Sequence, residues 1–186
     1  MQKTSANSVT LVLGGVRSGK SRYAQQLAGQ SGRVVFIATA EAREDEEMHR
    51  KIERHRAERP AHWTTVEEPI ALASALRSSE PNADAILIDC LTIFAASLME
   101  KFSRDDAGLQ AHLTELCDAL QTTRCRVILV SNEVGSGVVP AHALGRRFRD
   151  LLGEINQRVA AAADTVLLMV AGLPLALKGS LEGSTR

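Results

Sequence analysis

The sequence predicts an α/β fold, a mainly parallel sheet flanked by helices, and three observations predict it. Strand-like and helix-like segments alternate along the chain, the pattern that a parallel sheet with crossover helices produces. The stretch "GGVRSGKS", Gly14 to Ser21, follows the apolar run "VTLVL" and opens onto a helix-like segment. A second apolar run, "DAILID", closes on the carboxylate Asp89. A buried parallel strand ending that way delivers an acid to the edge where ligands bind.

Taken in order, Val9–Leu13 reads as a short buried strand, and Lys20–Ala28 as a helix with Tyr23 and Leu27 on one face. "RVVFIAT", Arg33–Thr39, is a β-rich apolar run and hence a second strand. Glu44–Arg59 is polar with helical spacing, and Pro60 ends it. "HWTTVEEP" gives a short strand, with a helix following from Pro69. Asp84–Asp89 is the buried strand already named. Helical spacing returns within Asp106–Thr122, and "RVILVSNEVGSG" is a strand leading into a glycine-bearing loop. Leu144, Phe148, Leu151, Leu152, Ile155 and Val159 form one helical stripe, and Asp164–Gly172 supplies a last strand.

A chain of 186 residues is expected to form one domain, 1–186, able to bury a continuous core. Residues 1–8 and 178–186, polar and small, are expected to be flexible ends. The 22 basic and 22 acidic residues cancel, which gives no support to a nucleic-acid partner and favours a small molecule. Cys90, Cys117 and Cys125 are odd in number and lack C-x-x-C spacing, so neither a disulfide framework nor a zinc site is expected. Cys90 and Cys125 border expected strands and read as small core residues. No signal-like segment opens the chain, and no apolar run reaches the ~18 residues needed to span a bilayer. The expectation is a cytoplasmic protein.

The spacing G-x-x-x-x-G-K-S between a strand and a helix is that of a phosphate-binding loop, so the fold expected is that of a P-loop NTPase. Backbone N–H groups of Gly14, Gly15, Val16, Arg17, Ser18 and Gly19 would wrap the phosphates, Lys20 would reach the β/γ oxygens, and the Ser21 hydroxyl would ligate Mg²⁺. Asp89 can hold the same Mg²⁺ directly or through water; the plainer reading is a solvated strand-end acid. Asn132 and Glu133 also fall at a strand end, before a loop that either meets substrate or is a simple turn. Met48, Ile52 and His55 share a helical face among Arg50, Lys51, Arg54, Arg56 and Arg59. Spacing alone makes His55 a packing residue. Its basic neighbours allow the alternative, a neutral imidazole attacking phosphorus.

Together, "GGVRSGKSRYAQ", "FIATAEAREDEEMHRKIERHRAERPAHWTTVEEP", "ILIDCLT", "VSNEVGSGVVP" and "GRRFRDLLGEINQRVAAAADTV", from about Leu11 to Val170, resemble the bifunctional adenosylcobinamide kinase / adenosylcobinamide-phosphate guanylyltransferase family of cobalamin biosynthesis. The resemblance implies that His55 carries a covalent guanylyl group. It implies nucleotide contacts at Gly14 through Ser21, Thr39, Ala40, Glu41, Arg56, Ala57, Glu58, Arg59, Glu67 and Asp89. It implies ATP and GTP as nucleotides with Mg²⁺, adenosylcobinamide and adenosylcobinamide phosphate as substrates, and a homotrimer. Val16 stands where Ala is more usual in the loop, and Asp89 replaces the Glu of some relatives. The competing readings are a monofunctional P-loop small-molecule kinase and an NTPase switch.

Overall fold

The computed structural model describes residues 7–40 and 59–181. In chain order the elements are β1 (Val9–Gly14), α1 (Lys20–Ala28), β2 (Val34–Ala38), β3 (Thr64–Glu67), α2 (Leu72–Ser79), β4 (Ala85–Asp89), α3 (Leu91–Lys101), α4 (Asp106–Thr122), β5 (Arg126–Asn132), α5 (Ala143–Ala162), β6 (Thr165–Val170) and β7 (Leu173–Lys178). The strands form one seven-stranded sheet in the order β3-β2-β4-β5-β1-β6-β7. Every pairing is parallel except that of β6 with β7. The expected mainly parallel α/β architecture is therefore present.

Central strands buried on both faces need continuous apolar sequence, and β1 and β2 are buried at every position. Alternation sends their side chains to two layers. Leu11, Leu13, Ile86, Ile88, Val127 and Leu129 pack beneath residues of α2, α3, α4 and α5. Val12, Leu87, Ile128 and Val130 face the other way, against Ala24 and Leu27 of α1 and against Trp63. Local chemistry sets the helix starts. The Asp105 side chain accepts from the N–H of Gly108 to open α4, and Glu68 Oε1 accepts from the N–H groups of Ile70 and Ala71 ahead of α2.

Several expectations are corrected. The last strand is β7, not β6. The two join through Ala171 and Gly172, whose positive φ values of 51° and 84° suit a two-residue hairpin turn. Ala at the first of these positions hides the turn in the sequence. Lys178, expected in the flexible tail, closes β7 and donates to the carbonyls of Ala160, Ala161 and Ala163 at the end of α5, where a cation is favoured. Leu144 is 68% exposed, because the stripe it shares with buried Leu151, Leu152, Ile155 and Val159 meets the core only after the first turn of α5. Leu91–Lys101, unassigned in the sequence, is a helix with Phe94, Ala95 and Leu98 fully buried. The expected helix Glu44–Arg59 lies outside the described residues apart from Arg59, which sits in a bend.

Phe94 fills the layer beneath α3 with no exposed surface. Phe94→Ala should lower unfolding stability by about 3–5 kcal/mol through the cavity it leaves, read from urea denaturation. A loss below about 1 kcal/mol would show that this layer collapses around the gap.

Candidate nucleotide site

Parallel strands in register bring their carboxyl ends to one edge. Ala38 lies opposite both Glu67 and Asp89, Asp89 opposite Val130, and Gly14 opposite both Asn132 and Met169. Five segments that the sequence singled out thus meet on one line, at the edge where open α/β sheets bind ligands.

At β1 the chain leaves the sheet through the loop. Gly14 is required there by close approach: a Cβ would meet the Ser18 side chain and would stand 2.9 Å from the Met169 carbonyl oxygen. Arg17 and Gly19 take positive φ values of 57° and 91°, the second natural only for glycine. The β6–β7 hairpin backs the loop, its Gly172 N–H donating to the Ser18 carbonyl at 3.0 Å. Ser18 Oγ is buried and has no partner among the described residues. Lys20 opens α1, and its ammonium donates to the Gly15 carbonyl at 3.1 Å, so the cation curls over the loop. Burial pushes its pKa below the usual lysine value, while Cys90 and Asp89 act in the opposite sense. Val16 is 85% exposed, which leaves the backbone of the loop to meet phosphate.

Asp89 ends β4, and β5 separates β4 from β1. Its charge nevertheless acts on Lys20. The Cys90 thiol beside it is pushed up to about 11, by burial first and by Asp89 second. Cys90 keeps some exposed surface and Cys125 is buried, so the expectation of core cysteines holds fully for Cys125 alone. Thr39 is fully buried. Its hydroxyl donates to the Cys90 carbonyl at 2.8 Å and accepts from the Cys90 N–H at 2.9 Å. That clamp ties the ends of β2 and β4 together and occupies the Thr39 side chain.

The Arg59 guanidinium lies over the Phe36 ring, its carbon 3.5 Å from the ring centroid. With Glu67, Trp63 and Thr65 it lines a cavity of about 390 Å³. Arg59 and Glu67, both implied by the family resemblance, are therefore brought together. Trp63 and Thr65, which share this cavity, were not among the candidate residues; the lone Trp in "HWTT" was the signal available. Ala40 follows Thr39 at the edge of the described segment. Glu41, His55, Arg56, Ala57 and Glu58 lie outside the described residues.

The set fits a nucleoside triphosphate: a glycine loop, a half-buried lysine and a buried hydroxyl without a partner. Ser21 on α1 and Asp89 offer the hard oxygen donors that Mg²⁺ takes. No group of three or more His, Cys, Asp or Glu suited to a metal occurs among the described residues. A site of one or two protein oxygens completed by phosphate needs none.

Residues 10–177 match the model of the CobU family, cobinamide kinase / cobinamide phosphate guanyltransferase. The chain belongs to this family. As a member it is an enzyme of cobalamin biosynthesis that joins a kinase to a guanylyltransferase. It is 48% identical over 170 residues to the bifunctional adenosylcobalamin biosynthesis protein CobP of Pseudomonas aeruginosa, covering 91% of this chain and 96% of that one. It is 40% identical to the bifunctional adenosylcobalamin biosynthesis protein CobU of Salmonella typhimurium, covering 90% and 98%. Among solved structures, the flagellar accessory protein FlaH of Methanocaldococcus jannaschii superposes with a TM-score of 0.53 at 11% identity, covering 94% of this chain and 80% of that one. An ATPase of the bacterial type III secretion system gives 0.55 at 12%, covering 88% and 52%. These two likenesses speak to the fold alone. No described helix of this CobU family member is long and apolar enough to cross a membrane.

Gly14→Ala should weaken binding of GTP about 5- to 150-fold, because overpacking costs about 1–3 kcal/mol where the loop lies against the Met169 carbonyl. Titration calorimetry reads it. Unchanged affinity would mean the loop tolerates a side chain at this position.

Proposed function

We propose that the chain performs both reactions of its family on nucleotides held by one phosphate loop. The reading is carried by the family match over residues 10–177, which takes in both the loop and His55. In the kinase step, ATP or GTP lies on Gly14–Ser21 and a γ-phosphoryl group passes to the aminopropanol hydroxyl of adenosylcobinamide. Loop N–H groups and Lys20 face the charge that develops on the leaving diphosphate. Ser21 and Asp89 would hold Mg²⁺, which neutralises phosphate charge when bound.

In the second step the His55 imidazole attacks the α-phosphorus of GTP. A nitrogen–phosphorus bond forms, the bond to the bridging oxygen breaks, and pyrophosphate leaves with the electron pair. The phosphate of adenosylcobinamide phosphate then takes GMP from His55, giving adenosyl-GDP-cobinamide. Arg56 through Arg59, with Thr39, Ala40, Glu41 and Glu67, form the nucleotide's further surroundings. The stacking of Arg59 on Phe36 beside Glu67 supports that assignment for two of them. We place the enzyme in the cytoplasm as a homotrimer. Its zero formal charge favours a small-molecule acceptor over nucleic acid.

His55→Ala should abolish covalent labelling by α-labelled GTP and the release of pyrophosphate, while phosphorylation of adenosylcobinamide survives at least in part. His49→Ala and His62→Ala, at the histidines that flank His55 in the sequence, should label normally. An adduct on either of those residues, with His55 unmodified, would give the nucleophile's role to another side chain. Equal loss of both activities in His55→Ala would return it to a packing role.

A further inference from the structure

The phosphate loop leaves β1 and Asp89 ends β4, yet β5 lies between these strands. A triphosphate that reaches from Lys20 toward Asp89 therefore passes over the end of β5, where Asn132 and Glu133 stand. Glu133 is fixed to the loop itself: its N–H donates to the Gly14 carbonyl at 3.2 Å. Its carboxylate is fixed as well, Oε1 accepting from the Gly135 N–H at 2.6 Å. The other oxygen, Oε2, has no partner among the described residues.

Other carboxylates on this edge are placed differently. Glu68 caps the approach to α2, Glu67 lines the Arg59 cavity out at the edge strand β3, and Asp89 lies in the field of Lys20. Beside Glu133, Asn132 Oδ1 is buried and has no partner among the described residues. Buried acceptors are nearly always bonded, so this atom marks a place for an incoming donor. The loop beyond exposes Val138 and Val139 at 95% and 61%, an apolar surface for an acceptor with a large hydrocarbon framework.

We propose that Glu133 is the general base of the phosphoryl-transfer step. Oε2 takes the proton of the acceptor hydroxyl as its oxygen bonds to the γ-phosphorus. The bond from that phosphorus to the β,γ-bridging oxygen breaks, and the electron pair leaves with the nucleoside diphosphate. The guanylylation step forms its bond on an imidazole and has no hydroxyl proton to remove, so it does not use Glu133. This inference rests on the reading of Gly14–Ser21 as the triphosphate site.

Glu133→Gln tests it, because the amide oxygen can still accept from Gly135 but cannot take a proton. Single-turnover phosphorylation of adenosylcobinamide should slow by about 100-fold or more, with the KM for ATP and covalent labelling by α-labelled GTP unchanged. Glu133→Asp should recover part of the rate. Phosphorylation by Glu133→Gln within about threefold of the wild type would overturn the proposal. So would parallel loss of phosphorylation and labelling, which marks a structural role. Nucleotide binding measured in the same samples separates the two readings. A wild type that binds no triphosphate contradicts the assignment of the loop, whereas a variant that binds and phosphorylates normally contradicts only the base.

Discussion

Everything at the candidate site depends on β1 being held in register on both sides, by β5 and by β6. Those ladders put Gly14 beside Asn132 on one flank and beside Met169 on the other. The first constrains the loop from the β5 side, where the Glu133 N–H donates to the Gly14 carbonyl. The second forbids a side chain at Gly14 and leads into the hairpin whose Gly172 ties down Ser18. A loop built to offer its N–H groups to phosphate cannot satisfy them internally. Its shape has to be imposed by the strands around it, and these two ladders impose it.

Lys20 shows how the edge is balanced electrostatically. Burial disfavours its charge, and the acid at the end of β4 favours it. Partial desolvation strengthens whatever the ammonium touches, so an arriving triphosphate meets a cation less screened by water than a surface lysine. The same edge raises the Cys90 thiol to about 11, which keeps that sulfur protonated and unreactive near neutral pH. Thr39 then uses its hydroxyl to fix Cys90 in place. Among the described residues, the edge thus sets the Lys20 ammonium over the loop, with the Asp89 carboxylate and a protonated Cys90 thiol behind it.

Much of this was legible in the sequence wherever a single physical rule governs the segment. The strands of the sheet centre announce themselves as apolar runs because they are buried on both faces. The phosphate loop is legible because Gly14 and Gly19 answer to steric limits that a residue with a side chain rarely meets. The hairpin to β7 was not legible, since Ala171 takes a positive φ without being one of the residues that normally mark it. Nor was α3, whose "LTIFAASLM" is apolar on most faces and shows no periodicity to read. The strand order was equally hidden. Sequence placed Asp89 and Asn132 at strand ends, but only the sheet shows β5 inserted between the acid and the loop, and that insertion gives Glu133 its position. Arg59 and Glu67 were legible only through family resemblance, and the cavity they share with Trp63 and Thr65 appears only once β3 pairs beside β2.

On the proposed function, one phosphate loop serves both chemistries. Lys20→Ala measures it most directly, assayed in parallel for phosphorylation of adenosylcobinamide and for covalent labelling by α-labelled GTP, with urea denaturation as the check on folding. Both rates should fall by orders of magnitude, since each step needs a triphosphate positioned by the same cation, while the unfolding midpoint stays close to that of the wild type. Near-normal activity of either kind in the folded variant would contradict it.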